Sequence, residues 1–487
     1  MKARLKEKRL RDALTPFLSK IPMVERPKRR VPFKTKLAFT IGILILYFAL
    51  GNIPLFGLSL ESLDLFGRWR AIFASQRFSL SAVGIMPIIS ASIILQILAG
   101  PKIMKLDLTN PRDQAFYLNM QKLLVLCFVV FTSYTLTMGF YMLNQTIADQ
   151  LGVSLRFISF LLFLQVFFGG MLIYYMEEVV SRWGIGSGVG LFIVAGVSQQ
   201  VITGLISPIR VEGWAVGVIP RWIQIAQQVE PYEILRGGIT FLFDHHLIAL
   251  ITTVALFFLV IYLESARIEL KIPGYLKRRG GRRRVRFSVK LVHFMYPVVI
   301  PLLFLNLGRS LQASIQGFGR MFYTRGITIF GTYDEYGTAV SGLMYYLNPI
   351  YSPWDWVPPL LHSAYPNVAG WQIVIKVATD MSIMVTCAMI IALLWIKLSP
   401  GMEAKDIKAM IRNSKLPIYG HSRDLKAIKR AVDRYTPKIA MMGSGVLGAL
   451  LVIGNMFGTL GTVSVLYLFL SVIVIYGIYE EITSEWS

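Results

Sequence analysis

The chain has 487 residues, 55% of them hydrophobic and only 16% charged, well below the roughly 25% charged residues of a soluble protein. Apolar runs of about 20 residues recur along it, each long enough to cross a hydrocarbon core of roughly 30 Å, so the bilayer is the solvent for most of the sequence. The formal net charge of +23 would suit a nucleic-acid binder, but the spans leave no separate soluble domain for that role.

Residues 1–36 are basic and interrupted by Pro16, Pro22, Pro27 and Pro32. No cleavable signal is expected there, and the first apolar run reads as a retained anchor. The first span is predicted at Leu37–Phe56. Leu63–Ser75 follows, amphipathic and too short to cross, with Arg68 and Arg70 arguing against burial in lipid. The second span is Val83–Ala99, stopped by Gly100-Pro101. Spans three and four are Phe116–Gly139 and Ser154–Met176, and Glu177–Trp183 makes a break before span five at Ile185–Ile206. After an external linker, 207–246, span six is expected at Leu247–Leu263, span seven at Leu291–Leu307 and span eight at Trp371–Ile396. The block Ile439–Tyr479 is about two crossings long. It turns at Gly454-Asn455 and Gly458–Gly461, which gives spans nine and ten.

Basic residues orient these spans. Residues 1–36 carry 13 Lys and Arg, and 100–114, 177–183, 265–290 and 396–438 carry 3, 1, 10 and 11. The opposite loops carry 10 of the 50, and Lys122 and Lys376 lie within spans. Both termini are therefore expected in the cytoplasm, of a multi-pass protein of the cell membrane. Five spans per half would make the halves an inverted repeat. The fold expected is all-α: ten transmembrane helices in two inverted five-helix halves, 37–206 and 247–481, around a central pore.

Groups that could do chemistry are scarce. His245 and His246 are adjacent and, on a helix, point about 100° apart, so they cannot chelate one metal together. Cys127 and Cys387 both sit in apolar runs and read as small core residues. No metal, cofactor or enzymatic activity is expected. Lys376 and Asp380 are spaced i,i+4 on one helical face; they read as a structural ion pair near the outer interface, with a proton or substrate relay as the alternative. The run Gly184 to Gly190 (GIGSGVG) lacks the Gly-Lys-Ser/Thr ending of a phosphate-binding loop and instead suits close approach of helices. The loops 265–290 and 396–438 carry more positive charge than orientation needs, and this favours docking of a polyanion such as ribosomal RNA over simple attraction to anionic lipid.

Three stretches together resemble the SecY family. They are Gly84 to Gln96 (GIMPIISASIILQ), Gln121 to Leu124 (QKLL), and Tyr174 to Ile193 (YYMEEVVSRWGIGSGVGLFI) running on through Ala195 to Gln199 (AGVSQ). The detail is similar to the archaeal and eukaryotic branch, and the resemblance covers nearly the whole chain. It implies a protein-conducting channel that passes unfolded polypeptides outward and releases apolar helices sideways into lipid. It implies an hourglass pore narrowed by an aliphatic ring of Ile85, Ile89, Val189, Ile193, Val298 and Leu470. An apolar constriction excludes ions by dewetting yet parts around any polypeptide.

The resemblance also makes Leu63–Ser75 a plug, with Leu63, Leu65, Phe66, Trp69, Ile72 and Phe73 as its apolar residues. It implies a lateral gate between span two and spans seven and eight, with a polar cluster of Ser90, Gln121 and Asn306. Arg278, Arg279, Arg282, Arg283, Arg284, Arg423 and Arg434 fall in the loops the family uses for the ribosome. The arginine cluster around Gly280-Gly281 departs from the family pattern. The implied partners are two small single-span subunits (SecE-like gamma and Sec-beta-like), the ribosome, signal sequences, nascent chains and lipid. The alternative reading is a ten-span secondary transporter of a small solute, which would need ionisable or broken-helix sites near the midplane.

Overall fold

The computed structural model describes residues 24–29, 31–59, 76, 78–99, 111–211, 213–265, 270–278, 281–289, 299–334, 338–358, 360–361, 368–398, 422–463 and 465–486. In chain order these form helices α1 (Phe33–Gly51), α2 (Met86–Ala99), α3 (Pro111–Thr135), α4 (Gln145–Leu151), α5 (Leu155–Trp183) and α6 (Gly188–Ile206). A short ribbon of β1 (Arg210–Val211) and β2 (Trp214–Ala215) leads to α7 (Val218–Gln228), α8 (Pro231–Asp244) and α9 (Leu247–Ser265). Strands β3 (Leu270–Arg278) and β4 (Gly281–Val289) precede α10 (Val299–Thr324), α11 (Gly342–Tyr346), α12 (Gly370–Leu398), α13 (Ser422–Phe457) and α14 (Val465–Trp486).

Each of the ten expected spans overlaps a helix where it is described. Among the described residues, seven helices are long and apolar enough to cross a membrane, and α8 with α9 forms an eighth candidate bent by 51°. The apolar helix α2 is shorter. Span seven departs most from expectation: residues 291–298 lie outside the described residues, and α10 runs on to Thr324. Its second half carries Arg309 and Gln312, both buried, so a hydropathy reading ends the span too early.

The chain divides into two compact units, residues 1–199 with 471–487, and residues 200–470. In the first unit α1 and α3 pack on α5, and α2 packs on α3. Leu55, Ala82, Val83, Leu136, Leu162 and Val166 form a buried cluster there, and Tyr47 stacks on Phe192 with centroids 5.1 Å apart. The segment before α2 lies directly on α5 because Gly169 has no side chain; a Cβ there would stand 1.8 Å from the Leu80 carbonyl oxygen. The first unit also takes α14 from Ser471 onward, which the sequence division assigned to the second half. Gly190 admits Val474 so closely that a Cβ would lie 2.8 Å from it.

In the second unit α12 packs on α10 and α13, and α9 packs on α13. The segment 342–361 is tied to this bundle. Trp356 Nε1 donates to the Met456 carbonyl at 2.8 Å, and its ring meets Phe457 edge-on at 5.7 Å.

The two basic loops are structured where they are described. Residues 270–289 make an antiparallel hairpin pairing Leu270 with Val289 through Arg278 with Gly281. Residues 422–438 belong to α13, which continues unbroken into span nine.

Candidate pore, plug stem and docking surfaces

The two aliphatic pairs of the first unit occupy equivalent places on their helices. Ile88 and Ile89 N–H groups both donate to the Ile85 carbonyl at 3.1 Å, so the helical turn begins at Ile85 and brings Ile85 and Ile89 to one face. Val189 and Ile193 are likewise i,i+4 on α6. Ile85 and Ile193 are buried, while Ile89 and Val189 are half-buried. Leu470 on α14 is buried, and Val298 lies outside the described residues.

The glycine-rich run at the head of α6 makes helix contacts, as its composition suggested. Ile185 N–H donates to Thr40 Oγ1 at 3.0 Å, and Gly188 N–H donates to Ser181 Oγ at 3.1 Å. Gly186 turns the chain at φ +71°, a left-handed conformation that glycine adopts without steric cost. These bonds fix where Val189 and Ile193 sit.

The expected plug, with Leu63, Leu65, Phe66, Trp69, Ile72 and Phe73, lies outside the described residues. Its two stems are described. Leu55 N–H donates to the Phe78 carbonyl at 2.9 Å, and Leu80 N–H donates to the Ile53 carbonyl at 3.0 Å, so the chain entering and leaving the segment is paired. Gln165 on α5 holds the first stem with both ends of its amide: it accepts from Phe56 N–H at 2.9 Å and donates to the Phe56 carbonyl at 3.2 Å. Ser59 N–H donates to the Met142 carbonyl at 2.9 Å. Sequence reading missed Gln165. Its only signal was an amide in the middle of an apolar span.

The polar cluster expected at the gate is partly rearranged. Gln121 Nε2 donates to Ser92 Oγ at 3.0 Å, and Ser92 Oγ donates to the Ile88 carbonyl at 2.8 Å. Ser92, rather than Ser90, is therefore the partner of Gln121, and the bond ties α2 to α3 inside the first unit. Ser90 is half-buried on α2, and Asn306 lies on α10. Ser92 is visible in the sequence as the second serine of the Ser90-Ala91-Ser92 triplet.

The intramembrane charges also differ from expectation. Asp380 pairs with Arg309, not with Lys376. Lys376 donates to the Asp355 carbonyl at 3.1 Å and lies over the Tyr345 ring at 5.1 Å. His245 is packed among Trp214 and Phe241, with ring centroids 5.1 and 4.1 Å away, which is a structural setting.

The arginines expected to meet the ribosome fall on two elements. Register places Lys271, Tyr275, Lys277, Arg282, Arg284 and Arg286 on one face of the hairpin, because opposed residues share a face and successive residues alternate. Arg278 and Arg283 fall on the other face with Ile272, Leu276, Val285 and Phe287. Arg279 is outside the described residues. Arg423 and Arg434 both lie on α13. Their spacing of eleven residues returns them to nearly the same side of the helix, with Lys426 and Arg430 between.

Long apolar helices, aliphatic residues repeated along α2 and α6 and a hydrogen-bonded pair of stems ahead of α2 suit a membrane channel. The comparisons specify which kind. The SecY family model matches residues 79–479, and the model for the plug domain of Sec61p matches residues 45–77. Protein translocase subunit SecY of Archaeoglobus fulgidus is 42% identical over 481 residues, covering 97% of this chain and 95% of that protein. The SecY subunit of Haloferax volcanii is 40% identical, covering 98% and 96%. Among solved structures, a protein-conducting channel is 30% identical with a TM-score of 0.67, covering 97% of both chains. Sec61 in the canine ribosome-channel complex from the endoplasmic reticulum is 29% identical with a TM-score of 0.63 and the same coverage.

The chain belongs to the SecY family. It is a multi-pass membrane channel for proteins with a plug domain, and not an enzyme. The solute-transporter alternative has no support here.

Proposed function

We propose that this channel passes unfolded polypeptides through a constriction formed by Ile85, Ile89, Val189, Ile193, Val298 and Leu470. The observation that carries the reading is the pair of i,i+4 aliphatic faces on α2 and α6, each positioned by backbone hydrogen bonds. Aliphatic side chains require no particular partner, so they yield to any sequence and close again behind it. Residues 63–75 form the plug, with Leu63, Leu65, Phe66, Trp69, Ile72 and Phe73 as its apolar surface. The paired stems at Ile53–Leu55 and Phe78–Leu80 return the plug to one place after each passage.

The lateral gate opens between α2 and the pair α10 and α12, where signal sequences and apolar segments leave for lipid. Ser90, Gln121 and Asn306 border it, and Gln121 acts through Ser92. The protein sits in the cell membrane with both termini in the cytoplasm, as the segregation of 38 of its 50 basic residues to one side supports. The ribosome docks on the cytoplasmic loops, to the basic face of the hairpin and the Arg423–Arg434 face of α13, and ribosome-bound Sec61 among the similar structures supports this. The two small single-span subunits complete the complex.

The test is crosslinking during translocation. Single cysteines at Ile85, Ile89, Val189, Ile193, Val298 or Leu470 should each capture a cysteine in a stalled translocating chain, and exposed positions such as Phe131 and Phe168 should not. Capture at the lipid-facing positions alone would overturn the assignment.

A further inference from the structure

The second unit contains a cluster of buried charge that the pore, plug and docking surfaces do not use. Arg309 and Gln312 on α10, and Lys376 and Asp380 on α12, are all buried, Asp380 completely. Arg309 Nη1 donates to Asp380 Oδ1, and Gln312 Nε2 donates to the same oxygen at 2.9 Å. The second Arg309 nitrogen, Nη2, donates to the Ile350 carbonyl at 3.3 Å. Ile350 N–H returns to Asp380 Oδ2 at 3.4 Å. The guanidinium also lies over the Tyr351 ring at 5.4 Å.

One turn before Asp380, Lys376 holds the Asp355 carbonyl. The Asp355 carboxylate accepts the Tyr351 and Ser352 N–H groups, both at 2.9 Å. Three pieces of chain, α10, α12 and 350–355, therefore share one set of charged bonds.

Such a cluster is a poor way to gain stability, because an apolar replacement of both partners is often neutral or better. What it provides is a fixed register. Apolar helix faces slide past one another with little change in energy, whereas any slip here leaves a bare ion buried in a low-dielectric bundle.

We propose that Arg309 and Asp380 are positioning residues of the translocation step: they latch α10 to α12, so that the two helices move as one body when the channel wall parts. The proposal rests on the reading that α10 borders the lateral gate. With the latch intact, opening must displace α10, α12 and 350–355 together. Without it α10 yields alone, breaking fewer contacts, and the gate opens to weaker signals.

The experiment uses the assembled complex in lipid nanodiscs. Spin labels replace the exposed residues Phe318 on α10 and Val374 on α12, and a second pair, at Ile94 on α2 and Phe318, reports the gate. Distances are measured at rest and with a stalled precursor engaged. Arg309→Met alone strands the Asp380 carboxylate and threatens folding, so the informative variant is Arg309→Met with Asp380→Leu, which removes both charges.

In the wild type the Phe318–Val374 distance should hold while the Ile94–Phe318 distance changes. In the double variant the Phe318–Val374 distribution should broaden on engagement. Export of a precursor with a crippled signal sequence should rise at least about fivefold, the low end of coupling between sites. A wild-type Phe318–Val374 distance that changes on engagement overturns the latch, as does a double variant with wild-type distances and export. If the Ile94–Phe318 distance never changes, the gate reading fails by itself. The latch is then decided by the double variant's Phe318–Val374 distribution, and wild-type width there overturns it.

Discussion

Replacing Gln121 by leucine separates two accounts of the polar residues beside the proposed gate. The structure gives the Gln121 amide one described partner, Ser92 Oγ at 3.0 Å, and Ser92 is in turn held by the Ile88 carbonyl. The bond joins α3 to the helix that carries Ile85 and Ile89, so it sets the rotation of those two residues. A polar bond between helices in lipid contributes about 0.6–2 kcal/mol. Its loss should shift the balance between closed and open channel by about 3- to 30-fold. Single-channel recording of the purified complex in planar bilayers reads this as open probability.

Gln121→Leu and Ser92→Ala should each raise it by a similar factor, and the double variant should be no worse than either single, because the two remove the same bond. Ser90→Ala should behave as wild type. A strong effect of Ser90→Ala with a silent Ser92→Ala would refute the pairing, and additive effects of Gln121→Leu and Ser92→Ala would refute the shared bond.

Three further outcomes follow from particular contacts. Gln165→Leu strips both bonds from the Phe56 backbone; at about 1 kcal/mol for each lost bond, brief openings of the resting channel should become up to about 30-fold more frequent in the same recordings. Arg282→Ala with Arg284→Ala removes charge from the basic hairpin face and should weaken ribosome binding, with the slope of log affinity against log salt falling by about two. Arg278→Ala with Arg283→Ala, on the other face, should change the slope less in the same titration. Gly169→Ala forces a Cβ against the Leu80 carbonyl and should cost about 1–3 kcal/mol, read as a lowered Tm of the complex in detergent. Gly42→Ala, with open space around it, should stay within about 1 kcal/mol of wild type.

Helix placement was legible because the bilayer demands long apolar runs, and each run announced itself. The exceptions share a cause. In α10 the buried face is polar, so Arg309 and Gln312 diluted the apolar signal just where the helix continues. The partners of buried polar groups were not legible at all. Spacing alone put Lys376 opposite Asp380, but the ion that Asp380 takes comes from Arg309, 71 residues away in sequence, and only tertiary packing reveals it. Gln165 was hidden in the same way, an amide whose partner is a backbone 109 residues distant.

The basic loops were legible as charge but not as shape. The alternation of Lys271, Lys277, Arg282, Arg284 and Arg286 against Ile272, Leu276, Val285 and Phe287 becomes a two-faced ribbon only once the register is known. In Ser92, two candidates stood two residues apart on one helix, and nothing in a single sequence chooses between them.

The central claim is a plugged pore wide enough for a polypeptide. Its most direct test is ionic conductance of the complex in planar bilayers, wild type beside a deletion of residues 63–74. The account predicts a silent wild type and large, flickering currents in the deletion. A deletion as silent as the wild type would contradict it.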